Sequence, residues 1–228
     1  MFNQLLYSLI ERLCSKLRAR QDGFLRHCRG VVHVGANEGH EREVYDYYGL
    51  TVIWVEALPS IYEKLAENIR PYPKQTAIRA LLTDKAGQVK RFNVANNQGA
   101  SSSIFDLALH KDIWPEVDYL GSVEIETNTL DELLVSNNID QSGIDGLILD
   151  TQGSELLVLK GSQGLLRRIS YIKVEAADFE AYKGGATVDS LERYLKNFSL
   201  ALVAKHEFAR HPQGGRYYDL IFKRTRNY

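Results

Sequence analysis

Neither sign of charge is in excess in this sequence: 28 Lys plus Arg stand against 29 Asp plus Glu, a formal net charge of −1 over 228 residues. Without a basic surplus, no chain-wide attraction to nucleic acid or to an anionic membrane is implied, and a polyanionic substrate is disfavoured. Cysteine is nearly absent. The two present, Cys14 and Cys28, lie close together near the N-terminus of a chain that needs no covalent staple, which argues against a disulfide framework and fits a reducing cytoplasm. No apolar run approaches the roughly 20 residues of a membrane span, and Glu11 with Arg12 interrupts the opening segment before a signal-peptide core can form. The expectation is a soluble, unprocessed cytoplasmic protein with no stable membrane insertion. Internal repeats and a separate linker are lacking too, and so is the Gly-x-Gly-x-x-Gly pattern of dehydrogenases.

What is present suits one folded unit. With 44% hydrophobic and 25% charged residues, the chain can bury one sizeable α/β core and is too short for two. From Phe2 to Arg20, Leu5, Leu6, Leu9, Ile10, Leu13 and Leu17 recur at spacings of three and four, which predicts an amphipathic helix. Such a helix caps the sheet or pairs with a second copy of the chain, so a homodimer through it is one expectation. The division that follows is an N-terminal helix and lead-in over 1–28, and a core over 30–224 with an insert at 85–140.

Beyond that helix, short β-rich runs alternate with helical ones, the pattern of βαβ units and a parallel sheet. The strand-like runs are Gly30 to Gly35, Thr51 to Glu56, Gln75 to Leu82, Gly146 to Asp150, Tyr171 to Glu175 and Leu200 to Lys205. Helical patterns cover Glu41 to Tyr48, Ser60 to Arg70, Ser154 to Arg168 and Val188 to Phe198. The last run, Tyr217 to Lys223, follows a Gly-Gly turn rather than a helix and is expected to pair antiparallel with the strand before it. The insert carries a strand at Gln88 to Val94 and a strand and helix over Val123 to Asn137. Between them, Asn96 to Ser103 is rich in turn residues and reads as an exposed, mobile loop.

The chemistry-bearing residues cluster at the ends of these strands. Val34-Gly35-Ala36-Asn37-Glu38-Gly39 closes the first strand, where glycine lets the backbone approach a ligand and a following helix N-terminus offers free N–H groups to an anion. Glu56 ends the second strand roughly 20 residues on, the spacing at which a carboxylate can accept hydrogen bonds from a ribose diol. Together they indicate a nucleoside site; a plain structural turn and a solvated strand end are the alternative.

Val32-His33-Val34-Gly35-Ala36-Asn37-Glu38-Gly39 resembles the opening motif of the FkbM family, usually Asp-Val-Gly-Ala-Asn-x-Gly. Asp145 to Glu155 resembles that family's second motif, Asp-x-x-Lys-Ile-Asp-x-Glu-Gly-x-Glu, and Thr129 to Leu133, Leu159 to Gly161, Glu175 and Tyr182 to Gly185 extend the likeness over about Gly30 to Arg224. The resemblance implies an O-methyltransferase that moves the methyl of S-adenosylmethionine to a hydroxyl of a sugar, glycan or other natural product. It also implies a class I, Rossmann-like fold: a doubly wound, mostly parallel seven-stranded sheet with an antiparallel C-terminal hairpin. That hairpin, with the missing dehydrogenase glycines, argues against an NAD(P)-binding oxidoreductase. A non-catalytic protein of the same fold is the other alternative, motivated by two departures: His33 replaces an acidic residue, and Gln152 stands where many relatives have Glu.

The candidate cofactor contacts are therefore His33, Gly35, Ala36, Asn37 and Gly39, with Glu56 and Ala57. Asp150 and Glu175, at adjacent strand ends, are the candidate catalytic carboxylates, and His206, read as lying just past the sixth strand, is a candidate proton acceptor. Ser101, Ser102, Gln152, Glu155 and Tyr182 are candidate acceptor-binding residues, Glu155 being equally explained by the dipole of the helix it opens. His211 in the next turn and His110 in the insert carry less weight. Two carboxylates could hold Mg²⁺ through oxygen, as in catechol-type methyltransferases, but no third ligand is suitably spaced and a metal is not favoured.

Overall fold

A computed structural model describes residues 22–225. The helix read over Phe2 to Arg20, and with it the expected homodimer contact, lies outside them. A short 3₁₀ turn at Gly23–His27 leads into β1, Gly30–Val34, whose five residues are all buried. The chain then runs α1 (Arg42–Tyr47), β2 (Thr51–Glu56), α2 (Pro59–Ile69) and β3 (Gln75–Arg79). Pro59 occupies the first turn of α2, where its missing N–H costs no hydrogen bond. The insert brings β4 (Leu81–Leu82), β5 (Val89–Ala95), α3 (His110–Ile113), β6 (Tyr119–Asn128) and α4 (Leu130–Ser136). The second half adds β7 (Gly146–Leu149), α5 (Glu155–Lys160), α6 (Gln163–Leu166), β8 (Tyr171–Ala177), α7 (Val188–Lys196), β9 (Leu200–Arg210) and β10 (Arg216–Arg224).

The main sheet has seven strands in the order β3-β2-β1-β7-β8-β10-β9. The first five run parallel, and β10 slots between β8 and β9, antiparallel to both. The expected hairpin is therefore present, with the last strand placed inside the edge. Residues alternate between two apolar layers, as the pleat requires. Val32 and Val34 join a core with Leu147, Leu149 and the helices α4 to α7, while Val31 packs on the other side with Trp54, Tyr45 and Leu65. Strands buried on both faces explain why β1, β2 and β7 read as nearly continuous apolar runs.

Three boundaries differ from the sequence reading. Gln75 to Leu82 is two strands, because Leu81 and Leu82 leave the main sheet to pair parallel with Thr127 and Asn128 in a small sheet of order β4-β6-β5. The helix expected over Ser154 to Arg168 breaks at Gly161, where a Cβ would sit 2.2 Å from the Thr83 carbonyl oxygen; the close approach of the insert sets that break. The turn-rich segment ending in Ser103 is not an exposed loop along its length: Ser101, Ser102 and Ser103 are buried. Ser103 exchanges both backbone hydrogen bonds with Asn93 of β5, and its hydroxyl donates to the Gln152 carbonyl at 2.7 Å. Serines suit a buried turn when each hydroxyl finds a backbone partner.

Candidate active site

The carboxyl ends of β1, β2 and β7 meet around a cavity of about 220 Å³. Gly35 makes this junction feasible: its φ is +77°, and a Cβ there would lie 1.8 Å from the Asp150 carbonyl oxygen. Only glycine allows β1 and the end of β7 to approach so closely while leaving a cradle open above them. Ala36, Asn37, Glu56 and Ala57 line the same cavity, as expected, together with Leu81 and Leu82 from β4 and Gly99, Ala100 and Ser102 from the insert. The cradle and the carboxylate of Glu56 at the end of β2 suit a nucleoside. Gly39 does something else, since its α-carbon faces Leu65 of α2, where a Cβ would come within 2.6 Å.

One expectation about the turn is corrected. Its N–H groups are not free for an anion: Gly35 and Ala36 both donate to the Val55 carbonyl, Asn37 donates to Glu56 Oε2 at 3.0 Å, and Glu38 to Asn37 Oδ1. The helix begins only at Arg42, and its start brings the side chains of His40 and Glu41 to the cavity wall. Glu56 also accepts from Leu58 N–H at 2.9 Å, which makes it a brace for two turns as well as a cavity wall. Burial raises its pKa, partly offset by these backbone donors.

At the far side of the cavity, Asp150 follows β7; Glu175, within β8, does not line this cavity. The Gln152 side-chain amide links them, donating to Asp150 Oδ1 and, at 3.5 Å, to Glu175 Oε1; the Tyr182 hydroxyl in turn donates to Gln152 Oε1. Gln152 has φ +52° and Gly153 φ +98°, so this turn is held in a left-handed conformation. Glu155 holds it there: Oε1 accepts from the Thr151 N–H, the Thr151 hydroxyl and the Gly153 N–H. Glu155 is 2% exposed and points into its own turn, not into the cofactor cavity. Desolvation pushes it up to about 7 and Asp150 up to about 6, and burial beside Asp150 raises Glu175 well above the carboxylate range.

The other candidates separate. His206 lies inside β9, opposite Asp219, and does not line the cofactor cavity, because β9 continues to Arg210 instead of ending at Lys205. Ser102 does line it, but its hydroxyl accepts from the Ala95 N–H. Ser101 turns away, bonded to Asn97 and facing His110 Nε2 at 3.3 Å. His110, given least weight in the sequence, is 3% exposed, with Nδ1 at 2.8 Å from the Tyr217 hydroxyl and its ring against Trp114 and Tyr182. It joins the insert to β10, and no spacing rule could have found it. His211 pairs with Asp112 at 2.9 Å and ties the last turn to the same insert. Among the described residues, no three His, Cys, Asp or Glu side chains are grouped to hold a metal ion.

The Methyltransferase FkbM domain family matches residues 33–201, spanning both strand-end motifs around this cavity. The chain belongs to the FkbM methyltransferase family. No curated protein matches the sequence. A solved structure of a Galdieria sulphuraria protein assigned as a sarcosine dimethylglycine methyltransferase is similar to this FkbM chain at TM-score 0.53 and 10% identity, over 99% of this chain and 88% of its own; the likeness shows the fold. The Synechocystis magnesium protoporphyrin IX methyltransferase with bound S-adenosylmethionine has TM-score 0.48 and 13% identity, over 97% and 79% of the two chains. The fold is the class I, Rossmann-like one, and the chain is a methyltransferase. Against its family's motifs, this methyltransferase has Ile148 where the second has lysine, besides His33 where the first has an acid. The two are direct neighbours in the β1–β7 register, so both ends of one potential ion pair are neutral here. His33 is instead satisfied by Tyr45, whose hydroxyl is 3.0 Å from Nδ1, and stacks on Trp54. Burial lowers its pKa, so the ring is neutral.

Proposed function

We propose that this protein is an O-methyltransferase acting on a hydroxyl of a sugar, glycan or other small hydroxylated natural product. The observation that carries the reading is Asp150: a carboxylate raised to about 6, on the wall of the cofactor cavity, oriented by an amide that a buried tyrosine holds. A proton acceptor with a pKa near neutrality is well matched to general-base work. The residues fit S-adenosylmethionine, with Glu56 at the ribose and Gly35 to Asn37 around the methionine end. When bound, it supplies a methyl group on a positively charged sulfur.

Asp150 Oδ2, which has no partner among the described residues, is placed to take the proton of an acceptor hydroxyl, and bound S-adenosylmethionine would supply the methyl group that takes the proton's place on that oxygen. Gln152 fixes the Asp150 carboxylate by its Oδ1, and Tyr182 fixes Gln152. Glu175 stays protonated while Asp150 is ionised, since two adjacent buried carboxylates cannot both be charged cheaply. The test is calorimetry with S-adenosylmethionine and with NAD, followed by mass-spectrometric screening for methyl transfer to sugars and glycans. Micromolar binding of the first and methylated hydroxyls are expected; tight NAD binding with no methyl transfer would replace this reading by an oxidoreductase.

A further inference from the structure

A second cavity, of about 340 Å³, shares His33, His40, Glu41 and Asp150 with the cofactor cavity and lies on the opposite side of them. Its volume is within the range of small-molecule sites, roughly 300–1,000 Å³. Its polar wall is made by Asp22, Glu41, Asp150, Glu175 and Asp219 against one lysine, Lys173. Lys173 is already engaged: its Nζ lies 3.0 Å from Asp22 and 3.6 Å from Asp219. Glu41, Asp150 and Glu175 have no cationic partner among the described residues.

His33 supplies an independent sign that a ligand belongs here. The ring is 6% exposed and borders both cavities. The Tyr45 hydroxyl, 3% exposed, has His33 Nδ1 as its one partner among the described residues, so it donates there, and the proton of the neutral imidazole sits on Nε2. Nε2 has no partner among the described residues. No fully buried side-chain nitrogen or oxygen lacks a partner among the described residues, so this N–H donor is open to the junction of the two cavities, where a ligand oxygen can reach it.

We propose that this second cavity is the acceptor site and that it takes a hydroxylated acceptor bearing an ammonium group, an amino sugar being the simplest example. The proposal rests on the methyltransferase reading. An ammonium group placed among Glu41, Glu175 and Asp219 gains charge-assisted hydrogen bonds in a partly desolvated wall and draws Glu175, protonated in the free site, into its ionised form. A phosphate or carboxylate on the acceptor meets the opposite field. A hydroxyl at the junction accepts from His33 Nε2–H and gives its proton to Asp150, on the side where the methyl arrives.

The test uses the full chain with S-adenosylhomocysteine bound, its binding confirmed by calorimetry. Saturation-transfer NMR titrations compare D-glucosamine, D-glucose and D-glucuronate, on the wild type and on Glu41→Gln and Glu175→Gln variants checked for folding by thermal melting. Glucosamine is expected to bind about tenfold tighter than glucose, the scale of one added charge-assisted bond, with glucuronate weakest and the preference reduced in both variants. Equal or tighter binding of glucose or glucuronate, an unchanged preference in both variants, or no saturation from any of the three overturns the acceptor class. Failure of S-adenosylhomocysteine to bind would instead remove the methyltransferase reading, and this proposal with it.

Discussion

Single residues here do two jobs, and their substitutions should show both. Glu56 closes the cofactor cavity and braces the Asn37 and Leu58 amides, so Glu56→Ala is expected to weaken S-adenosylmethionine by about 1 to 3 kcal/mol in calorimetry and also to lower the melting temperature. Unchanged affinity with lowered stability would leave Glu56 as a brace alone. Asp150 shows the opposite sign in stability. Burial raises its pKa from 3.8 to about 6, so the fold favours the protonated form; the stability this gives is complete below pH 3.8 and is lost as pH rises through about 6. Asp150→Asn keeps the shape and never ionises, so at about pH 8 it is expected to be more stable than wild type by about 1 to 3 kcal/mol. Its kcat should fall sharply with cofactor affinity nearly unchanged, and the wild-type rate should climb through about pH 6. Chemical denaturation at pH 4 and pH 8, with initial rates, checks this; an Asn variant with wild-type turnover would remove Asp150 as the base.

Elements matter at their joints. The insert holds one wall of the cofactor cavity by tying Ser103 to Gln152 and Asn93, and by packing His110 between Tyr217 and Ser101. Ser103→Ala removes a donor from the Gln152 carbonyl and an acceptor from the Phe105 N–H, and should cost about 1 to 3 kcal/mol because the site is buried. The Ser102 and Ser103 amides donate to Gly99 and Asn93, so they should exchange slowly even without ligand, while the amide of exposed Gln98, with no partner among the described residues, exchanges fast. Rapid exchange along the whole segment in hydrogen-exchange mass spectrometry would restore the picture of a mobile lid.

On the scale of the whole molecule, the sheet is completed by a strand from the far end of the chain. Beneath its last turn, Arg224 donates to the carbonyls of Leu166, Ile169 and Phe198, joining β10 to the ends of α6 and α7. Arg224→Ala should lower stability by about 2 to 3 kcal/mol, measured by urea unfolding, and Arg224→Lys should recover little, since one ammonium cannot match a fork spread over three carbonyls. A wild-type midpoint for Arg224→Ala would show that strand pairing alone seats β10.

The order and type of the principal elements were legible in the sequence, because apolar periodicity and turn residues report local geometry: β1, β2, β7 and β8 were found at their places, and Gly35 and Glu56 at strand ends that border one cavity. Of the neutral pair at His33 and Ile148, the reading singled out only His33, and strand register shows that the two are neighbours. What the sequence did not show depends on distant segments meeting. Gly161 breaks a helix only because Thr83 packs against it, Ser101 to Ser103 are buried only because β5 and the Gln152 turn supply their partners, and His206 is carried away from Asp150 by a strand that β10 extends. The pairing of Lys173 with Asp22 and Asp219, which leaves three carboxylates without a cation among the described residues, is likewise a product of register and strand order. Local pattern fixes which residues face a sheet; only the folded chain decides which groups then share a cavity, and so what charge a ligand meets there.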